Sequence, residues 1–137
     1  MGSSTTDGFA KKCIRYILLG EENPAVKRNW VLTAFILSQL LNYMDEIKSG
    51  VCPFCKRRPR NLFNHLMYDD FCGATFNSLI RRGVELHRVY GLISRRNIRA
   101  GIARIVFRHR CYVDIERGIP IEETAKRIRD ALNKCLG

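Results

Sequence analysis

The sequence predicts a single, mainly α-helical domain. Its 137 residues fit one domain and are enough to bury a core. Apolar residues make up 46% of the chain, which excludes an intrinsically disordered protein. Several stretches repeat apolar residues at the spacing of an amphipathic helix, and many of them are bounded by capping residues or glycines. We therefore expect a compact multi-helix domain.

The chain is expected to begin with a flexible polar arm, residues 1–6, and shows no secretory signal. Thr6 or Asp7 can cap a first helix that stops at Gly20. The most apolar stretch, residues 30–44, is too short to cross a bilayer and is interrupted by polar side chains. The sequence therefore predicts a protein that does not contact a membrane.

The second predicted helix is the most apolar part of the chain. Asn23 is its expected N-cap, Pro24 occupies its first turn, and the helix is expected to span residues 24–48. Because apolar residues occur on nearly every face, this helix is expected to be central to the core or to a homo-oligomer interface.

The remaining elements follow from periodicity and helix-end signals. Residues 74–90 form a predicted helix that Gly91 ends, and residues 95–110 form another, with isoleucine and valine at helical spacing. Residues 111–115 alternate between apolar and polar side chains, which predicts a short strand or an extended link. A last helix opens at residues 118–120, with glutamates in its first turn.

The positive charge of the chain is concentrated in its middle. The net charge is +11, and residues 50–110 hold 13 basic against three acidic residues, 12 of the 13 being arginine. Arginine presents a planar fork of donors that matches phosphate oxygens and guanine edges, so this composition favours a polyanionic partner over a merely basic surface. The residues expected to contact nucleic acid are Lys56, Arg57, Arg58, Arg60, Arg81, Arg82, Arg88, Arg95, Arg96, Asn97, Arg99, Arg104, Arg108 and Arg110.

Six cysteines raise the choice between a metal site, free thiols and disulfides. Cys52 and Cys55 form a C-x-x-C pair, which favours metal. Cys13, Cys111 and Cys135 are expected to be core thiols. A disulfide between two of these three would be compatible with a hyperthermophilic source.

The segment 51–72 predicts a zinc site. With His65 and Cys72 it reads C-x2-C-x9-H-x6-C, a donor set of thiolates and imidazole that favours Zn²⁺. The Cys-Pro-Phe-Cys knuckle, the basic loop and the helical histidine resemble a C2H2/CCHC-type zinc finger. The gap of six residues after the histidine departs from the three to five of such fingers, so His87 or a water molecule stays an alternative to Cys72.

A second resemblance covers residues 78–110. An apolar helix ends at Tyr90-Gly91, and a capping serine then precedes exposed polar residues. This pattern resembles the helix-turn-helix DNA-binding proteins of bacteria, archaea and viruses, although two apolar residues stand where the family has one. The resemblance implies that helix 95–110 enters the major groove and reads bases with Arg95, Arg96, Asn97 and Arg99. The alternative is an ordinary helical hairpin with an arginine-rich face.

Together these observations predict a mainly α domain with an inserted zinc knuckle and a helix-turn-helix-like pair. Its expected parts are an arm at 1–6, a helical core at 7–49, the zinc segment at 50–72 and a DNA-binding part at 73–137. No paired carboxylates or nucleophile–base pair accompany the zinc segment, so the protein is not expected to be an enzyme.

Two functions are compatible with this expected architecture. The first is a transcriptional regulator of double-stranded DNA, located in the cytoplasm with the nucleoid. The alternative is an architectural or packaging protein, such as a small basic coat protein of a DNA-containing archaeal virus filament, located in the virion. Sparse aromatic residues argue mildly against single-stranded partners, and RNA is not excluded.

Overall fold

The computed structural model describes residues 3–91 and 102–136 and confirms a mainly α fold. The elements in chain order are α1 (Ser3–Leu19), α2 (Pro24–Arg28), α3 (Trp30–Ser38), a 3₁₀ turn (Leu41–Tyr43), α4 (Met44–Lys48), α5 (Leu62–Tyr68), α6 (Cys72–Tyr90), β1 (Ile102–Val106), β2 (Tyr112–Glu116) and α7 (Ile121–Leu136).

The first helix begins earlier than the sequence predicts. Residues 3–6, expected to belong to a flexible arm, form the first turn of α1 instead. The predicted stop is correct, because Gly20 follows the helix in the left-handed conformation, with a φ of 71°. The predicted start of α2 is also correct, since the Asn23 side chain accepts the Ala25 N–H at 2.8 Å.

The single helix predicted over 24–48 is wrong, because the segment is broken into three helices and a 3₁₀ turn. The first break is at Asn29, whose backbone and side-chain amides both donate to the Ala25 carbonyl. At the second break, the Ser38 hydroxyl donates to the Phe35 carbonyl at 2.6 Å, and the Gln39 N–H turns to the Ile36 carbonyl at 3.1 Å. Such short side-chain and i→i−3 bonds compete with the α-helical ladder.

Helix α3 is the centre of the core. Eight of its nine residues are buried, and it packs against α6 on one side and α7 on the other. Gly83 of α6 makes the closest approach, since a Cβ atom at this glycine would lie 2.6 Å from the Ile36 Cα. The predicted role of this segment in the core is therefore confirmed within one chain. Its other predicted role, a homo-oligomer interface through helix 24–48, stays a prediction.

The helix predicted over 95–110 is wrong from residue 102 onward, and residues 95–101 lie outside the described part of the chain. Strand β1 pairs antiparallel with β2, from Ile102 opposite Glu116 to Val106 opposite Tyr112. Alternate side chains face the core, and the buried ones are Ile105, Phe107, Val113 and Ile115. Branched residues that alternate in this way are typical of a strand with one buried face. The alternation predicted for 111–115 is confirmed as β2.

Two of the three cysteines expected to be free core thiols form a disulfide. Cys111 at the start of β2 is bonded to Cys135 near the end of α7, with Cα atoms 6.1 Å apart. Cys13 is the exception, since it remains a buried free thiol whose sulfur lies 3.5 Å from the Thr33 hydroxyl. The bridge fixes the β-hairpin to the carboxyl-terminal helix.

Candidate metal centre

The first two thiols of the site lie in a tight turn after α4. Gly50, with a φ of 80°, reverses the chain at the end of the helix. The Lys56 N–H donates to the Cys52 carbonyl at 2.8 Å, and the Cys52 N–H donates to the Arg57 carbonyl at 2.9 Å. These two backbone bonds close the turn, so that the Cys52 and Cys55 thiols approach the same point.

The third side chain is carried by the short helix α5. Asn61 caps this helix, since its side-chain oxygen accepts the Asn64 N–H at 3.0 Å. His65 follows one residue later and is half-buried. The cap therefore fixes the start of the helix and with it the direction in which the imidazole points.

Asp69 positions the fourth side chain, a role that the sequence analysis missed. Its Oδ2 atom accepts the N–H of Phe71 at 3.1 Å and that of Cys72 at 2.8 Å, where α6 begins. The hydrogen bond from the Cys72 N–H is the main cause that lowers the pKa of the Asp69 carboxyl, and the bond from the Phe71 N–H lowers it further. The signal in the sequence was the residue type, because an aspartate side chain commonly accepts the backbone N–H groups two and three residues further along the chain.

The four predicted ligands come together. The sulfur atoms of Cys52, Cys55 and Cys72 and a ring nitrogen of His65 all lie within 4.8 Å of one another, and the Cys55 Sγ is 3.6 Å from the His65 Nε2. A tetrahedral zinc with Zn–S bonds of about 2.3 Å and Zn–N bonds of about 2.0 Å places its ligand atoms about 3.5 to 3.8 Å apart. The cluster is therefore close to the spacing that one zinc ion requires.

The thiols of the cluster differ in acidity. The N–H of Arg57 is the main cause that lowers the pKa of Cys55 to about 7, helped by hydrogen bonds from neighbouring groups of the cluster. Burial is the main cause that raises the pKa of Cys72 to about 12, followed by the proximity of Cys52 and Cys55. Cys55 is thus more acidic than Cys72, and a thiolate at Cys55 opposes the ionisation of Cys72. A bound divalent cation would remove this opposition.

His87, the rival for the fourth ligand position, lies outside the cluster. Its ring meets the edge of the Phe35 ring with centroids 5.6 Å apart, and burial lowers its pKa. Cys72 is therefore the residue that completes the set.

The basic loop, residues 56–60, leaves the metal turn directly. Lys56 is ion-paired with Glu46 of α4 at 2.9 Å, and the Arg58 guanidinium donates to the Ser49 carbonyl at 2.7 Å. These contacts fix the base of the loop against the end of α4. The other two arginines of the loop, Arg57 and Arg60, are exposed.

The other predicted nucleic-acid contacts are distributed over α6 and the β-hairpin. Two of them are ion-paired, Arg88 with Glu85 at 2.6 Å and Arg104 with Asp114 at 3.4 Å. All the arginines of these two elements are exposed: Arg81, Arg82, Arg88, Arg104, Arg108 and Arg110. The predicted base-reading residues lie outside the described part of the chain: Arg95, Arg96, Asn97 and Arg99.

Comparison with known proteins gives no relative: no protein-family model, no curated protein and no solved structure matches the chain. Within residues 3–91 and 102–136, no helix combines the length and the apolar character needed to cross a membrane. The cluster and the charges around it are therefore the features that indicate a function.

Proposed function

We propose that this chain is a zinc-containing protein that binds duplex DNA and acts as a transcriptional regulator. One observation carries the proposal: the cluster of three thiols and one imidazole continues directly into an exposed, arginine-rich loop. Four protein ligands fill the coordination shell of a tetrahedral zinc, which is typical of a structural site. The metal would then serve to hold the backbone from which the loop projects.

The backbone bonds of the metal turn support this role. Cys55 is adjacent to Lys56, and the Cys52 N–H is bonded to the Arg57 carbonyl. A metal that fixes both cysteines therefore also fixes the first two residues of the loop. Loss of the metal would free these residues, and the arginines would have to be ordered again at each binding event.

Duplex DNA is the partner that we propose for this charge. Residues 50–110 carry a net charge of +10, almost all from arginine. The basic residues that the structure describes lie on three elements, namely the basic loop 56–60, α6 and the β-hairpin. Arginine binds phosphate oxygens in a bidentate manner and makes the commonest specific contact to guanine.

We propose no enzymatic role. The donor set is filled by protein side chains, and the nearby carboxylate of Asp69 is committed to two backbone N–H groups at the start of α6. A catalytic zinc normally keeps one position for water and has a general base beside it.

The metal is tested by substituting cysteines inside and outside the cluster. We expect the purified protein to hold one zinc per chain, and Cys72→Ser to lose it together with its thermal stability. Cys13→Ser is the matched control, because Cys13 is buried and free but its neighbour Thr33 can bond a serine hydroxyl. Equal metal content in wild type, Cys72→Ser and Cys13→Ser would refute the site.

DNA binding is tested with a pool of random-sequence duplexes at two salt concentrations, followed by sequencing of the bound fraction. A regulator should prefer its site over random DNA by about 10³-fold or more. We expect one enriched motif and binding that weakens as salt rises. Absence of binding at the lower salt concentration would refute the proposed function.

A packaging protein is the second candidate, favoured by the distribution of arginine over three elements. Phosphate contacts from several surfaces suit a protein that covers duplex DNA without reading it. The same pool separates the two candidates, since packaging predicts strong, salt-dependent binding with no enriched motif.

A further inference from the structure

The tip of the β-hairpin is a three-residue loop that consists of Arg108, His109 and Arg110, all exposed. The Phe107 N–H donates to the Cys111 carbonyl at 2.8 Å and closes the hairpin, and the Arg110 N–H donates to the Phe107 carbonyl at 2.8 Å. This is the common three-residue hairpin connection, in which a turn is followed by a residue in the left-handed conformation.

Arg110 occupies the left-handed position, with a φ of 59°. Glycine is the usual residue at such a position, because a Cβ atom crowds the backbone there. Among the described non-glycine residues, Arg110 shares a positive φ only with Lys56 of the metal turn, whose φ is 63°. Both of these strained positions therefore carry a cation in an exposed loop. Backbone strain of this kind clusters at functional sites, so both cations are candidates for a functional role.

The two residues that flank the loop are fixed to the protein. Phe107 is 2% exposed, and its ring lies 5.4 Å from that of Tyr90 at the end of α6. Cys111 is bonded to Cys135 of α7. The loop thus projects from two anchored positions, which reduces the conformational entropy that its arginines lose on binding.

The arginine of the strand differs from those of the tip. Arg104 is opposite Asp114 in the strand register and is ion-paired with it, so its charge is partly neutralised. Arg108 and Arg110 lie beyond the paired strands. Beside them, the exposed cross-strand pair of Val106 and Tyr112 offers apolar surface on the outer face of the hairpin.

We propose that the loop Arg108–Arg110 is a separate contact element that binds the phosphate backbone of duplex DNA. This inference rests on the proposed function and adds a second contact, remote in sequence from the metal turn. Guanidinium groups bind phosphate oxygens through paired, charge-assisted hydrogen bonds. Contacts of this class position a protein on the duplex without selecting its sequence.

The test uses the zinc-loaded full chain and compares Arg110→Gly with wild type. Glycine relieves the backbone strain and removes the charge, so the unfolding temperature should be unchanged or higher while the affinity for a random-sequence DNA duplex falls about threefold to tenfold. The slope of log affinity against log salt should decrease by about one, as expected for the loss of one phosphate contact.

Further variants separate charge from backbone. Arg108→Ala should also weaken binding, Arg110→Lys should retain most of it, and Lys12→Ala on α1 should leave both affinity and salt slope unchanged. Unchanged affinity in Arg110→Gly and Arg108→Ala, with wild type binding normally, would overturn this inference alone. A loss confined to one enriched sequence would overturn the assignment to phosphate, and tighter binding of an RNA duplex would overturn the assignment to DNA. No binding by wild type would overturn the proposed function and this inference together.

Discussion

His87 is a histidine whose protonation is opposed by its buried surroundings. It lies on the side of α6 that faces α3, with its ring edge-on to Phe35. Burial disfavours the imidazolium, so the pKa of His87 in the folded protein is below its ordinary value of 6.5. The unfolded chain therefore binds a proton more readily than the folded one as the pH falls below about 6.5.

From this we predict a loss of stability in mild acid that depends on His87. The neutral histidine contributes its full share to the free energy of unfolding above about pH 6.5. This share is lost as the pH falls through that value toward the lowered pKa of His87 in the folded state. His87→Phe keeps an aromatic ring against Phe35 but cannot be protonated. The measurement is the free energy of unfolding of both zinc-loaded proteins as a function of pH.

The decisive quantity is the difference between the two curves, because the zinc ligands titrate in both proteins alike. Wild type should lose more stability than His87→Phe on acidification. Parallel curves would show that the buried imidazole is not a source of the pH dependence.

The ligand residues show how far spacing alone could predict the site. Cys52, Cys55 and His65 follow from a knuckle and a helical histidine, and the structure brings them together. The choice between Cys72 and His87, both of which lie on α6, stayed open because the gap of six residues after His65 departs from the three to five of C2H2/CCHC-type fingers. Once Cys72 is the first residue of that helix, His87 stands 15 residues further along it, about 22 Å at the rise of an α-helix. It could then no longer reach the cluster.

At the scale of elements, the contact between α3 and α6 depends on Gly83. A Cβ atom there would lie 2.6 Å from the Ile36 Cα and 3.0 Å from the Phe35 carbonyl oxygen, and both are backbone atoms that cannot move separately from α3. We predict that Gly83→Ala lowers the free energy of unfolding by about 2 kcal/mol, although alanine is the better helix former. Chemical denaturation measures the change.

Gly73, in the first turn of the same helix, provides the matched control. A Cβ atom there would be 3.4 Å from the Leu66 carbonyl oxygen, which is an ordinary contact. Gly73→Ala should leave stability unchanged or raise it by up to about 1 kcal/mol. If the two substitutions had the same effect, close packing at Gly83 would not be the cause.

The hairpin shows where periodicity failed to identify an element. Residues 98, 102 and 105 are isoleucines at helical spacing, which predicted a helix, but residues 105 and 107 also begin an alternation that continues at 113 and 115. A short apolar run satisfies both periods, and only its partner strand decides between them. The long helices α6 and α7 are less ambiguous because their apolar stripes extend over several turns. Both ends of α6 and the start of α7 were therefore predicted to within a few residues.

At the scale of the whole molecule, two side-chain links, the metal cluster and the disulfide, join separate elements of the fold. The metal cluster joins the turn after α4 to α5 and the start of α6. The disulfide joins the hairpin to the end of α7, 24 residues further along the chain. Sequence alone could not pair Cys111 with Cys135, because the pairing requires the hairpin, and the first strand of the hairpin was predicted as a helix. Both links lie beside loops that carry exposed arginine.

The disulfide should stabilise the chain independently of the metal. Closing a loop of this length restricts the unfolded chain by about 3 kcal/mol, so we predict that the double variant Cys111→Ala, Cys135→Ala loses about that much free energy of unfolding and still binds one zinc. A water-soluble phosphine that reduces the bridge should shift wild type by a similar amount and leave the double variant unchanged.

Thiol counting provides the control for this prediction, because the denatured, metal-free wild type should expose four free thiols out of six cysteines. Six free thiols, together with equal stability of the two proteins, would contradict the bridge.

Since the disulfide and the metal cluster share no residue, their effects on stability should add. Removing zinc from the double variant should therefore cost as much stability as removing it from wild type. A larger cost in the double variant would show that the hairpin and the metal turn depend on a common part of the core. Helix α6 is the most direct connection between them. Its first residue is Cys72 of the cluster, and the ring of its last residue, Tyr90, contacts Phe107 of the hairpin.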